Sequence, residues 1–251
     1  MKRKLAAILA CRNKSNRLYA KPLQNLDRNG RVKIIDFLIK NLKKHKEVNE
    51  IALAISDKPE NKDYIDIAKK YRINYVLGDD KDVLSRIIKC AKKIKATDIL
   101  RITSESPFPY LVDLDKNWKT HLKNSFDGTF LDNIIDGCGY EIINIKALQK
   151  SYVLGKAKHR SELCTLFMRE NIKKFKIKRI FPQKKLFRID IRLTVDNPED
   201  LILCKQVYNK FKNKYYDLLN IIKFINSKPH LKRLIKPFCA KGYNSMYKWK
   251  R

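Results

Sequence analysis

Arg12, Ser15, Arg17 and Lys21 place three cations and a hydroxyl within ten residues, directly after the apolar run Leu5–Cys11. Guanidinium groups can grip phosphate oxygens two at a time and an ammonium acts as a point charge, so this set suits an anion with several phosphates. An apolar strand that opens into a polar loop is also where an open α/β sheet holds such a ligand. We read the loop as the seat of a nucleoside triphosphate. Two carboxylates occupy similar places further along. Glu105 follows the run Asp98–Thr103, and Asp196 follows Leu193–Val195. If these runs are strands of one parallel sheet, their ends share an edge and the groups converge. Mg2+ is usually held by one or two carboxylates plus phosphate oxygens, so the expected ligand is a metal-bound triphosphate. Taken singly, each residue has a commoner use: Glu105 as a solvated loop acid, Asp196 as an acid ahead of a helix, the basic loop as one patch in a Lys-rich chain.

The elements that must position these groups follow from periodicity. Val32–Lys44 puts Ile35, Leu38, Ile39 and Leu42 on one helical face. Ile51–Ile55 is continuously apolar, as in a strand covered on both sides. Residues 60–71 have a helical period, Ile73–Leu77 reads as a strand, and Asp82 reads as the N-cap or first-turn acid of a helix bearing Val83, Leu84, Ile87 and Ile88. This β-α alternation predicts an α/β fold with a mostly parallel, doubly wound sheet. The second half is less regular. Helices are expected at 111–122, 146–153 and 161–171, and strands at 126–131 and 140–145. Phe175–Phe181 and Leu186–Leu193 are expected to pair as strands, and Asn197 and Pro198 mark a helix start. Leu201 to about Lys236 reads as helices, followed by a basic, aromatic tail. A single domain with a smaller inserted or appended lobe is expected.

Composition narrows the function classes. The 251 residues include 57 Lys and Arg against 26 Asp and Glu, a formal charge of +31 at pH 7. The excess is mostly Lys, spread end to end with no nucleic-acid motif, so it reads as composition bias rather than a binding surface. No specific nucleic acid is therefore expected as a partner. A basic nucleic-acid or anionic-surface binder is the competing class. No stretch approaches the roughly 20 apolar residues needed to span a bilayer. Six dispersed cysteines without a CxxC pair suggest neither zinc nor disulfides, and reduced thiols in the cytoplasm are the expectation.

The run Ala10-Cys11-Arg12-Asn13-Lys14-Ser15-Asn16-Arg17-Leu18-Tyr19-Ala20-Lys21-Pro22-Leu23 resembles the opening motif A-R-x-x-S-x-R-L-P-G-K-x-L of sugar cytidylyltransferases, in their spore-coat polysaccharide branch. This is the family of CMP-sialic acid and CMP-Kdo synthetases. Residues 78–86 are similar to G-x-x-x-D-V-L-x-R, 101–107 to R-I-T-G-D-C-P, 136–141 to D-G-x-D-x-E, and 193–201 to L-T-V-D-T-P-E-D-L. The five matches are collinear over nearly the whole chain. The resemblance implies a nucleotide-diphosphate-sugar transferase, Rossmann-like fold that acts with Mg2+ on CTP and an acidic sugar, with residues 1–110 as a nucleotide-binding half and 111–251 as a sugar-binding half with C-terminal helices. A sugar-1-phosphate acceptor with another nucleotide such as GTP is the alternative, and a homodimer stays open. By position, Arg12, Arg17 and Lys21 take the catalytic cationic places and Ser15 binds the triphosphate beside them. Glu105 and Asp196 are the metal ligands. Asp82, Arg86 and Arg101 belong to substrate binding, with Glu141 nearer the sugar. The chain departs from the pattern at Tyr19-Ala20, where the family has Pro-Gly, at Ser104-Glu105, where it has Gly-Asp, and at Gly139, where it has a second acid.

Overall fold

Seven apolar residues in a row, Leu5–Cys11, need cover on both sides, and the computed structural model, which describes residues 3–212 and 216–239, supplies it. Leu5, Ala7, Leu9 and Cys11 face one core and Ala6 and Ile8 face another. This strand, β1, lies in a seven-stranded sheet with β2 (Glu50–Ser56), β3 (Asn74–Gly78), β4 (Asp98–Arg101), β5 (Gly128–Leu131), β6 (Glu141–Asn144) and β7 (Ile177–Ile180). Their order is β3-β2-β1-β4-β6-β5-β7. Pairings are parallel except where β6 runs antiparallel to β4 and to β5.

The larger core packs α1 (Ile34–Leu42), α2 (Lys62–Tyr71), α4 (Leu114–Lys123), α7 (Pro198–Phe211), α8 (Leu218–Asn226) and α9 (Pro229–Ile235) on one face of the sheet. The smaller packs α3 (Val83–Lys93), α5 (Ile145–Leu154) and α6 (Leu166–Glu170) on the other. The doubly wound α/β prediction is thus met. Asn197 forms a capping box with Asp200, and Pro198 opens α7. Among the described residues, no helix is long and apolar enough to cross a membrane. All six cysteines are buried and unpaired. The basic tail beyond residue 239 lies outside the described residues.

The expected pairing of Phe175–Phe181 with Leu186–Leu193 is not formed. β7 instead lies parallel to β5, and residues 184–186 make a 3-10 turn. Arg188 folds back on Asp190 through two 2.7 Å bonds, while Leu186, Ile191, Leu193 and Val195 enter the larger core from irregular chain. The strand expected at Leu193–Val195 is likewise absent. One bridge from Asp136 to Arg192 ties this segment to the sheet end, and the Val195 N–H donates to the Glu105 carbonyl at 3.1 Å. Asp196 is therefore positioned by an irregular strap across the sheet edge rather than by a strand.

Candidate active site

The loop after β1 is fastened before it presents its charges. Ala20 N–H donates to the Asn13 carbonyl at 2.8 Å, and Asn13 N–H donates to Asn61 Oδ1 at 2.7 Å. Ala20 holds φ 49°, in the left-handed region, at the place where the family pattern has glycine. An alanine there bears a steric cost that glycine lacks, about 1–2 kcal/mol. The turn at Lys21–Leu23 then aims Lys21 inward. Its Nζ lies 2.6 Å from Asp196 Oδ1, which Arg17 Nη2 also reaches at 2.9 Å. Arg192 holds the other oxygen, Oδ2, at 2.7 Å. Burial alone would push the Asp196 carboxyl up, but the Lys21 hydrogen bond and charge, with Arg17 and Arg192, outweigh it and hold it below the usual range.

Two adjoining cavities meet at this point. The first, about 200 Å³, is lined by Arg17, Glu105, Asp136, Glu141, Arg169 and Asp196. The second, about 90 Å³, is lined by Arg12, Ser15, Lys21, Arg86 and apolar Ile8 and Val83. Arg101, Thr103 and Glu105, at the end of β4, border both and form the wall between them. Burial pushes the Glu105 carboxyl up, Lys21 draws it down and Asp196 raises it again, leaving it above its ordinary value. Glu105 accepts a side-chain bond only from Ser104 Oγ, at 3.2 Å, among the described residues.

The structure thus gathers every residue singled out in the sequence into these cavities except Asp82. Asp82 lines neither, and its Oδ1 accepts the Ser85 N–H at 2.8 Å, which caps α3. Asp82→Ala is accordingly expected to cost about 1 kcal/mol of stability, read as a lower urea midpoint. Arg86 is 1% exposed and lies over Gly78, where a Cβ would come within 2.8 Å of its Cγ. Its Nη1 donates to the Asp79 carbonyl at 2.9 Å, so it ties the Gly78-Asp79-Asp80 turn to α3 beside the second cavity. Arg12 stands more open and reaches Glu162 Oε2 at 3.3 Å.

Sequence reasoning missed a buried charge network behind the first cavity. Arg101 Nη1 donates to Glu141 Oε2 at 3.0 Å, and Arg169 Nη2 donates to Glu141 Oε1 at 2.7 Å. Arg169 also engages Asp132 at 3.2 and 3.3 Å, and Arg179 Nε reaches Asp132 at 3.1 Å. Burial would push the Glu141 carboxyl up, but Arg101 and Arg169 pull it below its ordinary value. Asp136, the first acid of the D-G-x-D-x-E match, was given no role, and Arg192 was missed. Asp136 is 3% exposed, and burial, against the pull of Arg192, pushes its carboxyl up to about 6. Gly137 beside it holds φ 88°, and a Cβ there would lie 2.5 Å from the Thr194 amide, so only glycine lets this turn press against the strap. The signal available in the sequence was charge inside apolar runs, Asp136 after Ile134-Ile135 and Arg192 between Ile191 and Leu193.

Comparison with known proteins accords with this geometry. The cytidylyltransferase family model matches residues 6–225. An uncharacterized protein of Methanocaldococcus jannaschii, MJ1063, is 31% identical over 97% of this chain and 99% of its own length. The spore coat polysaccharide biosynthesis protein SpsF of Bacillus subtilis is 26% identical, over 81% of this chain and 85% of its own. Among solved structures, a cytidylyltransferase from Leptospira borgpetersenii superposes with a TM-score of 0.83 at 22% identity, covering 92% of this chain and 97% of that one. CMP:2-keto-3-deoxy-manno-octonic acid synthetase complexed with CTP superposes at 0.61 and 13% identity, over 82% and 99%. These two structural likenesses speak for the fold. The family match, spanning the cationic loop, both cavity walls and the strap that carries Asp196, shows that the chain belongs to the cytidylyltransferase family.

Proposed function

We propose that the chain transfers CMP from CTP to an acidic sugar for surface polysaccharide synthesis, releasing pyrophosphate. An acceptor oxygen attacks the α-phosphorus, the bond to the β-phosphate breaks, and pyrophosphate leaves with the electron pair. In this reading the second cavity and residues 1–110 take the nucleotide, and the first cavity takes the sugar. Arg12, Ser15, Arg17 and Lys21 bind the phosphates and neutralise charge on the leaving group. The observation that carries the reading is the convergence of Arg17 and Lys21 on Asp196 where the two cavities meet.

Mg2+ fits this donor set. Among the described residues no three acidic, His or Cys side chains form a preformed metal cluster, but Glu105 and Asp196 border one cavity. Two carboxylates are enough for a metal that completes its shell with water and, when nucleotide is present, with phosphate oxygens. Bound there, the metal would supply charge neutralisation at the reacting phosphate. Glu105 reaches one methylene further than the family's aspartate, and its side chain is not engaged by a cation.

A pyrophosphate-release screen tests the proposal, with each of four nucleoside triphosphates set against acidic sugars and sugar phosphates, with and without Mg2+. Release with CTP and an acidic sugar, lost on chelation, is the expected result. Release with GTP and a sugar phosphate would reassign both substrates. Silence throughout, with tight and steeply salt-dependent RNA binding, would replace catalysis by a binding role.

A further inference from the structure

Among the described residues, Arg192 is the one cation on Asp196 from outside the loop after β1, and it is buried, its side chain 3% exposed. Its Nη1 is anchored on the Phe238 carbonyl at 2.8 Å and its Nη2 on Asp196 Oδ2 at 2.7 Å. Its Nε lies 3.2 Å from Asp200 Oδ1 and 3.8 Å from Asp136 Oδ2, and makes a hydrogen bond with neither. Both oxygens of Asp136 and Oδ1 of Asp200 are buried without a hydrogen-bond donor. Asp200 spends Oδ2 on the amides of Asp196 and Asn197. One guanidinium therefore stands among three carboxylates and hydrogen-bonds only one of them, through the single oxygen Oδ2 of Asp196.

This pattern is hard to explain as a structural ion pair, because buried acceptors are ordinarily satisfied. It is what a charge with two stations would leave. When a divalent cation takes Asp196, Arg17 and Lys21 can move to the phosphates, but Arg192 is too deep to follow. A shift of about 1 Å would bring its Nε to hydrogen-bond distance of Asp136. We infer that Arg192 moves from Asp196 to Asp136 as a divalent metal binds, so that Asp136, which is not one of the two metal carboxylates, sets how readily Asp196 becomes a ligand. The inference rests on the reading of Asp196 as a metal ligand. It makes Asp136 and Arg192 positioning residues of the site.

The test is the affinity for Mn2+, titrated into the full-length chain and followed by electron paramagnetic resonance without nucleotide or acceptor. Asp136→Asn should weaken Mn2+ binding about tenfold or more, and Asp136→Glu should restore most of it. In an Arg192→Met background the competitor is gone, and Asp136→Asn should then change binding by less than about twofold. Arg192→Gln is the alternative background if the methionine variant does not fold. An equal loss in both backgrounds would mean plain long-range charge and overturn the inference. Unchanged binding in Asp136→Asn, or no Mn2+ binding by the parent chain, would overturn it too. A parent chain that binds Mn2+ with the expected pattern but releases no pyrophosphate with any acceptor would sink the transfer reaction and leave this coupling standing.

Discussion

Asp196→Ala is expected to lower turnover at saturating substrates by about 10²–10³-fold or more while the chain stays folded. Asp196 is the point on which Arg17, Lys21 and Arg192 all converge. Without ligand it keeps the three cations from repelling one another. In the proposed reaction it exchanges them for a metal. Its removal takes away half of the carboxylate pair and leaves Glu105 alone. Folding should survive because Arg192 retains Phe238 and has Asp136 and Asp200 beside it. Metal-free CTP binding is the discriminating second measurement. Arg17 and Lys21, released from Asp196, are free to grip phosphate, so the variant should bind CTP at least as tightly as the parent in a chelator-containing buffer. A variant that has merely collapsed would lose that binding as well. Unaltered turnover would place the metal elsewhere.

Residues 1–110 were the more legible part of the chain because their signals are local. Continuous apolar runs named β1, β2 and β4, and Asp82 and Asn197 with Pro198 named helix starts that the structure contains. Such signals depend on a few neighbouring residues. The strap at 186–196 failed the same treatment. Leu186, Phe187, Ile189, Ile191 and Leu193 look like a strand, but among the described residues no strand stands beside the segment to accept it; Leu186, Ile191 and Leu193 enter the larger core with α7–α9 instead, and Phe187 and Ile189 stay exposed. The site divided along the same line. The cations after β1 could be read from spacing, and Glu105 and Asp196 from their places after apolar runs. Asp82 was singled out by motif position, although its own local role as a cap was the one the structure shows. The Arg169 network was invisible because its partners lie 28 and 37 residues away, and a charge in sequence looks like solvated surface until its partner is found.

Glu141→Ala is expected to be the most damaging substitution for stability, at about 3–5 kcal/mol, the cost of breaking a buried ion pair. For a chain of this size that corresponds to a melting temperature lower by very roughly 6–20 °C. The figure belongs to this residue because Glu141 is shared. Its side chain is 9% exposed, Arg101 occupies one oxygen, and Arg169 and Thr165 occupy the other. Alanine would deprive two guanidinium groups of a partner; Arg169, at 2% exposure, retains Asp132, and Arg101 keeps the Glu162 carbonyl. Compare Asp115 and Lys119 on α4, an i,i+4 pair at 2.7 Å with side chains 44% and 71% exposed, where water screens the charges and Asp115→Ala should leave the melting temperature essentially unchanged. The two ion pairs look alike as distances, and burial alone separates them. Glu141→Gln decides what kind of cost is being measured. It keeps the shape and one acceptor, so a loss nearly as large as that of alanine would show that the negative charge, rather than the packing, holds Arg101 in the wall between the cavities. A loss under about 1 kcal/mol for both variants would mean that water reaches the two arginines and that the wall is not built on Glu141.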